Sequence, residues 1–416
     1  MVRRSKDKPE PDIEQRLQES IFDVSALSAL QEERLVFITR FWAQRGCQDS
    51  LRITSLLKEG VSACSALLGA TPLSRVSGGL RSMLFCKESA IGTISTSGSS
   101  GVPLSYHISQ VWRSAHDSAW RLAYRHMTGG WLSGYLDPSV NWAMMRPPGG
   151  TLDELDNVIN CVPHRTGVSY SREPESFKPQ VIHGSVTTIL EALEDPRVRG
   201  WSPRIVVLAY EGSADWQRAL ISHNWPQVPI HEEYGANDGG SSAFTCEHGS
   251  LHFWSNRSLP CQHLDVLRVI DLWNTAQAFV AYECGDEVQW IPCNCRCGSV
   301  LPVMRIRGRK SGKITLNNGA VISQLCPFDS QEMINLRAIR VLVKHGDSAT
   351  VVIVESMQDG CDRVSIAARL HEIGFEQVSF VVKKSITELR NHWGKFQTVT
   401  DLRTETASEA VSTGSS

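Results

Sequence analysis

Residues 180–208 read QVIHGSVTTILEALEDPRVRGWSPRIVVL, and this stretch decides the fold class. Gln180-Val181-Ile182 and Ile205-Val206-Val207-Leu208 are short apolar runs of the kind that form strands buried on both faces. Between them, Val186 to Leu193 carries a helix-like pattern. Strand, helix and strand in that order are the α/β signature.

The pattern extends outward on both sides. Leu17, Ile21, Val24 and Leu27 fall at helical spacing within residues 13–44, and a second helical run surrounds Leu35, Ile38 and Trp42. A short apolar run then enters the loop Ser95-Thr96-Ser97-Gly98-Ser99-Ser100-Gly101. Behind it Ile108, Val111, Trp112, Ala115, Ala119 and Leu122 share one helical face. Residues 253–303 break into short strand-like segments with turn signals. The composition changes at Arg307-Gly308-Arg309-Lys310-Ser311-Gly312-Lys313. Beyond it, residues 338–356 give two strand-like runs flanking His345-Gly346-Asp347, then a helix from Val364 to Ile373 and a strand from Val378 to Val382. That is a small α+β unit of about 100 residues.

A chain of 416 residues, 41% of them hydrophobic, predicts two domains or more with a sizeable core. The net charge of -2 offers no basic field for a phosphate backbone, so nucleic acid is not an expected partner. No run of 18 apolar residues occurs, which argues against a membrane span. The start, MVRRSKDKPEPD, is charged and lacks the apolar stretch of a signal peptide. The 12 cysteines are scattered apart from Cys293, Cys295 and Cys297, the pattern of reduced thiols and a metal site. The expected compartment is the cytoplasm.

Five segments carry chemistry. The loop at 95–101 can turn backbone N–H groups and hydroxyls toward a polyphosphate, although it lacks the Gly-Lys-Ser/Thr ending of a Walker loop. By composition it also fits a flexible linker, and its place before a long helix favours the phosphate reading. Glu233-Tyr234-Gly235-Ala236-Asn237-Asp238 combines an aromatic face with a carboxylate. Tyr282-Glu283-Cys284-Gly285-Asp286 places a second carboxylate after a tight turn. Arg307-Gly308-Arg309 marks the domain boundary, and Trp393-Gly394-Lys395-Phe396 carries a lysine after a glycine.

In this order the segments resemble the adenylate-forming superfamily of acyl-CoA synthetases, luciferases and peptide-synthetase adenylation domains. TSGSSGVP (96–103) resembles its phosphate loop and EYGAND (233–238) its aromatic-Gly-x-Thr-Glu motif. AYECGDE (281–287) resembles its Tyr-x-x-Gly-Asp motif, RIRGRKSGK (305–313) its hinge, and WGKFQTV (393–399) its terminal Gly-Lys segment. Length and the Cys-x-Cys-Gly run are similar to the phenylacetate–coenzyme A ligase and capsule-biosynthesis branch. The likeness implies an α/β chain with a large adenylate-forming domain of mixed sheets and helices over 13–308. It implies a zinc-bearing part at 244–300 and a small mobile α+β lid over 309–400. A leader (1–12) and a tail (401–416) flank them as disordered ends.

The same likeness implies roles. Thr96, Ser97, Gly98, Ser99, Ser100 and Gly101 would hold the β- and γ-phosphates of ATP. Tyr234 would lie against the adenine, with Gly235, Asn237, Glu211 and Gly212 completing the nucleotide contacts. Asp286 would accept from the ribose hydroxyls and Arg309 would bind nearby. Asp238 would help hold Mg²⁺, a hard cation that prefers carboxylate oxygen. Lys395 would meet the charge developing between carboxylate and α-phosphate, and Ser311 occupies the hinge. The sequence departs from the family pattern at several places. Leu104-Ser105 stand where a lysine often follows the loop. Asn237-Asp238 replaces Thr-Glu, Glu283-Cys284 replaces Arg-Thr, and Ser311 replaces Asp.

Cys246, His248 and His252 on one segment and Cys293, Cys295 and Cys297 on another match a tetrahedral structural Zn²⁺ site, ordinary thiols being the alternative. The family branch maps the ligands onto Cys246, His252, Cys295 and Cys297, with His248 and Cys293 as substitutes.

The leading expectation is therefore an ATP- and Mg²⁺-dependent ligase joining a small carboxylic acid to coenzyme A. The acid would sit near His183, Gly184 and Tyr210. A carrier-protein thiol or an amine is the alternative acceptor, and a silent nucleotide-binding relative is the competing class. The sequence leaves the oligomeric state open, a homodimer included. No Gly-x-Ser-x-Gly elbow is present, and His231-Glu232-Glu233 lacks the second histidine of a zinc-protease helix.

Overall fold

The helical spacing near the N-terminus becomes α1 (Ile13–Phe22) and α2 (Val24–Ala43), broken at Asp23. The Asp23 carboxylate accepts from the amides of Ser25 and Ala26 and so starts α2. A computed structural model describes residues 13–74, 84–95, 105–146, 155–164, 167–236, 238–292, 294–310, 313–322, 336–344, 347–355, 361–389 and 398–403.

After α3 (Gln48–Lys58), α4 (Ala63–Leu68) and β1 (Leu73–Ser74), strands β2 (Ala90–Ser95) and β3 (Ser105–Ser109) pair antiparallel, with Ser95 opposite Ser105. Residues 96–104 thus join two paired strands. Ile108, expected on the following helix, belongs to β3. Tyr106 and Ile108 are buried at the two-residue period of a strand. Helix α5 (Gln110–Met127) begins after Ser109, whose hydroxyl accepts from the Trp112 amide. Trp112, Ala115, Ala119, Leu122 and Met127 line its buried face. Side chains such as Leu122 and Met127 each stabilise the fold by about 1.5–3 kcal/mol when fully buried.

The quoted stretch folds as its pattern predicts. Strands β4 (Trp142–Met145), β5 (Val158–His164) and β6 (Gly167–Tyr170) precede β7 (Val181–Gly184), α6 (Val186–Ala192), α7 (Pro196–Arg199), β8 (Ile205–Leu208) and α8 (Asp215–Asn224). Strands β8, β7, β4 and β5 lie side by side and parallel, and β6 returns antiparallel on β5. Next come β9 (Ile230–Ala236), β10 (Ser241–Thr245), β11 (Leu251–Phe253), β12 (Ser258–Pro260), β13 (Val266–Asp271), β14 (Tyr282–Ile291) and β15 (Val303–Arg309). The C-terminal part holds β16 (Ile314–Thr315), β17 (Val321–Ile322), β18 (Leu336–Lys344), β19 (Ser348–Glu355), α9 (Arg363–Ile373), β20 (Gln377–Val382) and β21 (Val399–Asp401).

These elements form two units, one of Met1–Asp137 with His231–Ile306 and the other of Pro138–Ile230 with Arg307–Ser416. In the first, strands run in the order β12-β13-β14-β15-β11-β10-β9, with β1 beside β14. Trp254, Trp273, Phe253, Phe279 and Tyr282 fill its core. Trp120 of α5 meets Phe244 edge-on at 5.2 Å, and the Arg34 guanidinium of α2 lies 4.2 Å from the Trp273 ring.

In the second unit, β20-β19-β18-β21 form a sheet whose inner strands, β19 and β18, are buried on both faces. Val351 and Ile353 of β19 face Ile366 and Leu370 of α9. Val352 and Val354 point the other way, into the cluster of Val186, Ile189, Leu190 and Trp201. Ile386 and Leu389 enter that cluster, and Arg337 pairs with Glu194.

Candidate active site

In the first unit the structure brings together two residues that the motifs assign to one nucleoside. The Tyr234 hydroxyl on β9 donates to Asp286 Oδ2 on β14 at 2.7 Å. Strands β15, β11 and β10 intervene in the sheet order, so the two side chains meet across strands that are not neighbours. Asp286 is only 7% exposed. It follows Gly285, whose φ of 82° lies in the left-handed region that a glycine adopts without strain. Gly235 has open space where a side chain would begin, so a planar ligand can approach the backbone there.

The turn after Tyr234, Asp238–Gly240, rests on a buried polar brace that the sequence reading missed. A methyl group on Gly240 would lie 2.7 Å from Asp271 Oδ2, so that position requires glycine. Asp271 also accepts from the Trp112 indole at 2.8 Å and from the amides of Trp273 and Asn274. Burial raises its carboxyl above the ordinary range, with the Arg257 guanidinium opposing the shift. Arg257 donates to Ser242 at 3.3 Å. His116 stacks on Trp112 at 4.9 Å. Burial, then Arg257 and Arg113, push its imidazole down to about 2. Glu233, on the opposite side of its strand from Tyr234, accepts from the Tyr124 hydroxyl at 2.7 Å.

In the second unit, His183 and Gly184 end β7, and Tyr210, Glu211 and Gly212 follow β8. The carboxyl ends of parallel strands are where open α/β sheets bind ligands. The Tyr210 ring meets His183 edge-on at 5.5 Å and is 56% exposed, with φ at 70°. A side chain on Gly184 would meet the Met145 carbonyl at 2.2 Å, so close strand pairing excludes one. Glu211 is tied to the first turn of α6, where Thr187 donates from its amide at 2.7 Å and from its hydroxyl at 2.5 Å. Arg309 ends β15 and is half-buried. Thr96, Ser97, Gly98, Ser99, Ser100, Gly101, Asn237, Ser311 and Lys395 lie outside the described residues, as does the side chain of Asp238.

The Cys/His segments converge within the first unit. The ligand atoms of His126, Cys246, His252 and Cys297 all lie within 4.8 Å of one another. Cys295 Sγ is 3.5 Å from Cys246 Sγ, and Cys297 Sγ is 3.4 Å from His252 Nε2. His252 Nδ1 lies 3.0 Å from the Leu301 carbonyl. Donation to that carbonyl fixes the tautomer whose Nε2 lone pair faces the thiols, as metal-ligating histidines are held. Thiols with an imidazole oriented this way fit Zn²⁺. The substitutes differ in fate: His248 is at the surface beside Glu247, and Cys293 is outside the described residues. His126 was missed because it sits on α5, far from either segment.

No family model matches the chain, and no curated protein matches it. Among solved structures it has the fold of adenylate-forming acid–CoA ligases. It is similar to 2-hydroxyisobutyryl-CoA ligase in the postadenylation state with 2-HIB-AMP. The TM-score is 0.62 and the identity 15%, over 95% of this chain and 90% of that one. An open conformation of the same ligase with 2-HIB-AMP and CoA matches at a TM-score of 0.50 and 12% identity, over 96% of each chain. At these identities the likeness establishes the fold. Among the described residues no helix is long and apolar enough to cross a membrane.

Proposed function

We propose that this chain uses ATP to convert a small carboxylic acid into an acyl-adenylate and transfers the acyl group to a thiol, with coenzyme A as acceptor. In the first step a carboxylate oxygen attacks the α-phosphorus and pyrophosphate leaves. In the second a thiolate attacks the acyl carbon and AMP leaves. The observation that carries the reading is the 2.7 Å contact of Tyr234 with Asp286. It joins an aromatic face and a buried carboxylate at one place, as binding adenine and a ribose diol requires.

Within this reading Asp286 accepts from the ribose hydroxyls, and Thr96 to Gly101 cradle the phosphates. Asp238 serves Mg²⁺, and Lys395 offsets the charge that grows on the α-phosphate oxygens. The acid lies against His183, Gly184 and Tyr210, and residues 309–400 act as the lid. A Zn²⁺ ion supplies folding energy to the segment around Cys246, His252 and Cys297.

Exchange of labelled pyrophosphate into ATP, measured over aryl, fatty and amino acids, tests the first step. Product analysis with coenzyme A, an amine and a carrier-protein thiol then separates the acceptors. Exchange that depends on an acid supports the reading. A folded chain that binds ATP without exchange supports the silent relative.

A further inference from the structure

Two cysteines outside the Cys/His cluster meet in the first unit. Cys64 Sγ lies 3.2 Å from Cys261 Sγ, although 197 positions separate them in the chain. Both are free thiols in this structure. We propose that they are a reversible thiol–disulfide pair, oxidised by a small-molecule disulfide of the oxidised-glutathione class. The bond between them locks α4 to the β12–β13 hairpin.

Three observations carry it. The first is distance, since the sulfurs must close by only about 1.2 Å to reach an S–S bond of about 2.05 Å. Cys261 Sγ also lies 3.7 Å from the Cys64 carbonyl oxygen, beside the backbone it must join. The second is that both backbones are already held. The Ser62 hydroxyl accepts from the Ser65 amide at the start of α4, whose Ala66 and Leu67 are buried. The Cys261 amide donates to the Arg268 carbonyl at 2.9 Å, which extends the pairing of β12 with β13. Arg268 in turn donates to the Leu67 carbonyl at 3.3 Å and pairs with Glu283 at 2.8 Å. Helix α4 and the hairpin are therefore docked before any covalent bond forms. The third is unequal exposure: Cys64 is half-buried, whereas Cys261 is 1% exposed.

That difference sets the order of events. The Cys64 thiolate attacks one sulfur of the oxidant. The oxidant's S–S bond breaks, and the thiolate released takes up the proton that Cys64 gave up. Cys261 Sγ then attacks Cys64 Sγ, the mixed disulfide breaks, and the second thiolate leaves with the Cys261 proton. The two protein sulfurs lose two electrons, and the oxidant gains both in becoming two thiols. Burial, then a hydrogen bond to Cys64, holds the Cys261 thiol above its ordinary range. It therefore stays protonated until a mixed disulfide forms beside it. Excess thiol of the same class reverses both steps.

The test treats the full, folded chain with oxidised glutathione and quenches it in acid. Remaining thiols are alkylated, and the non-reduced digest is mapped by mass spectrometry. The wild type is expected to yield a Cys64–Cys261 linked peptide that dithiothreitol removes. Cys261→Ser is expected to stop with glutathione on Cys64, and Cys64→Ser to leave Cys261 unmodified. Hydrogen exchange reads the lock, with the α4 amides expected to exchange several-fold more slowly in the oxidised wild type than in the reduced. Glutathione persisting on Cys64 of the wild type, or both cysteines recovered in alkylated form, would overturn the pair. A linked peptide with unchanged exchange in α4 would overturn the lock and leave the pair standing. The wild-type map decides the matter even if a variant does not fold.

Discussion

The Tyr234 hydroxyl donates to the Asp286 carboxylate at 2.7 Å, joining two motifs about fifty positions apart in the chain. If that pair holds the adenosine of ATP, the two side chains contribute unequally. Asp286→Ala removes a hydrogen-bonded charge, an interaction worth about 1.5–3 kcal/mol, and is expected to raise the KM for ATP by about 10–100-fold. Tyr234→Phe keeps the ring and is expected to cost less than about tenfold. The KM for the acid should hardly move in either variant. Steady-state kinetics with each substrate varied in turn make the check. An equal loss for both substrates would count against a nucleoside role.

Gly235 separates structure from binding. Nothing lies within 4 Å of the position its side chain would take, so Gly235→Ala is expected to leave the thermal midpoint unchanged. The same methyl group would intrude on a ring stacked there and raise the KM for ATP. Calorimetry and kinetics on one preparation suffice. Unchanged KM values would remove Gly235 from the nucleotide site.

Gly184 predicts the reverse pattern. Its added side chain would meet the Met145 carbonyl at 2.2 Å, between strands that cannot part. Gly184→Ala is expected to cost about 3 kcal/mol or more and to lower the thermal midpoint by several degrees. Gly92→Ala, with open space around it, is the matched control.

Acid should destabilise the fold through His116. Burial, followed by Arg257 and Arg113, lowers its imidazole from the ordinary 6.5 to about 2. The unfolded chain therefore takes up a proton near pH 6.5 while the folded chain does not. The stabilisation is complete above pH 6.5 and is lost as the pH falls from there toward 2. At pH 5 the loss from this one group is about 2 kcal/mol. Denaturant unfolding of the wild type and His116→Phe across this range reads it out, and the variant should show the shallower dependence. Parallel curves would show that His116 is not the group.

Much of the fold was legible because its signals are local. Ile205–Leu208 is a strand at the boundaries its β-branched run predicts, and Val186–Ala192 is a helix. Strand β3 was not legible, since Ser105–Ser109 alternates over too few residues to stand out before a long helix. The site divides the same way. Cys246, His252, Cys295 and Cys297 announce themselves by residue type. His126 gives no signal beyond being a histidine in the last turn of an amphipathic helix. Arg257 and Asp271 are illegible as a pair, because burial decides their meaning and no spacing rule links them.

The central claim is acid activation with Lys395 at the reacting phosphate, and acid-dependent exchange of pyrophosphate into ATP by wild type and Lys395→Ala tests it most directly. The account predicts exchange in the wild type with at least one class of acid. In the variant it predicts a fall of about 10²–10³-fold, the scale for losing one preorganised donor to a developing charge. Equal exchange by both proteins, or none by a folded wild type with any acid, would contradict it.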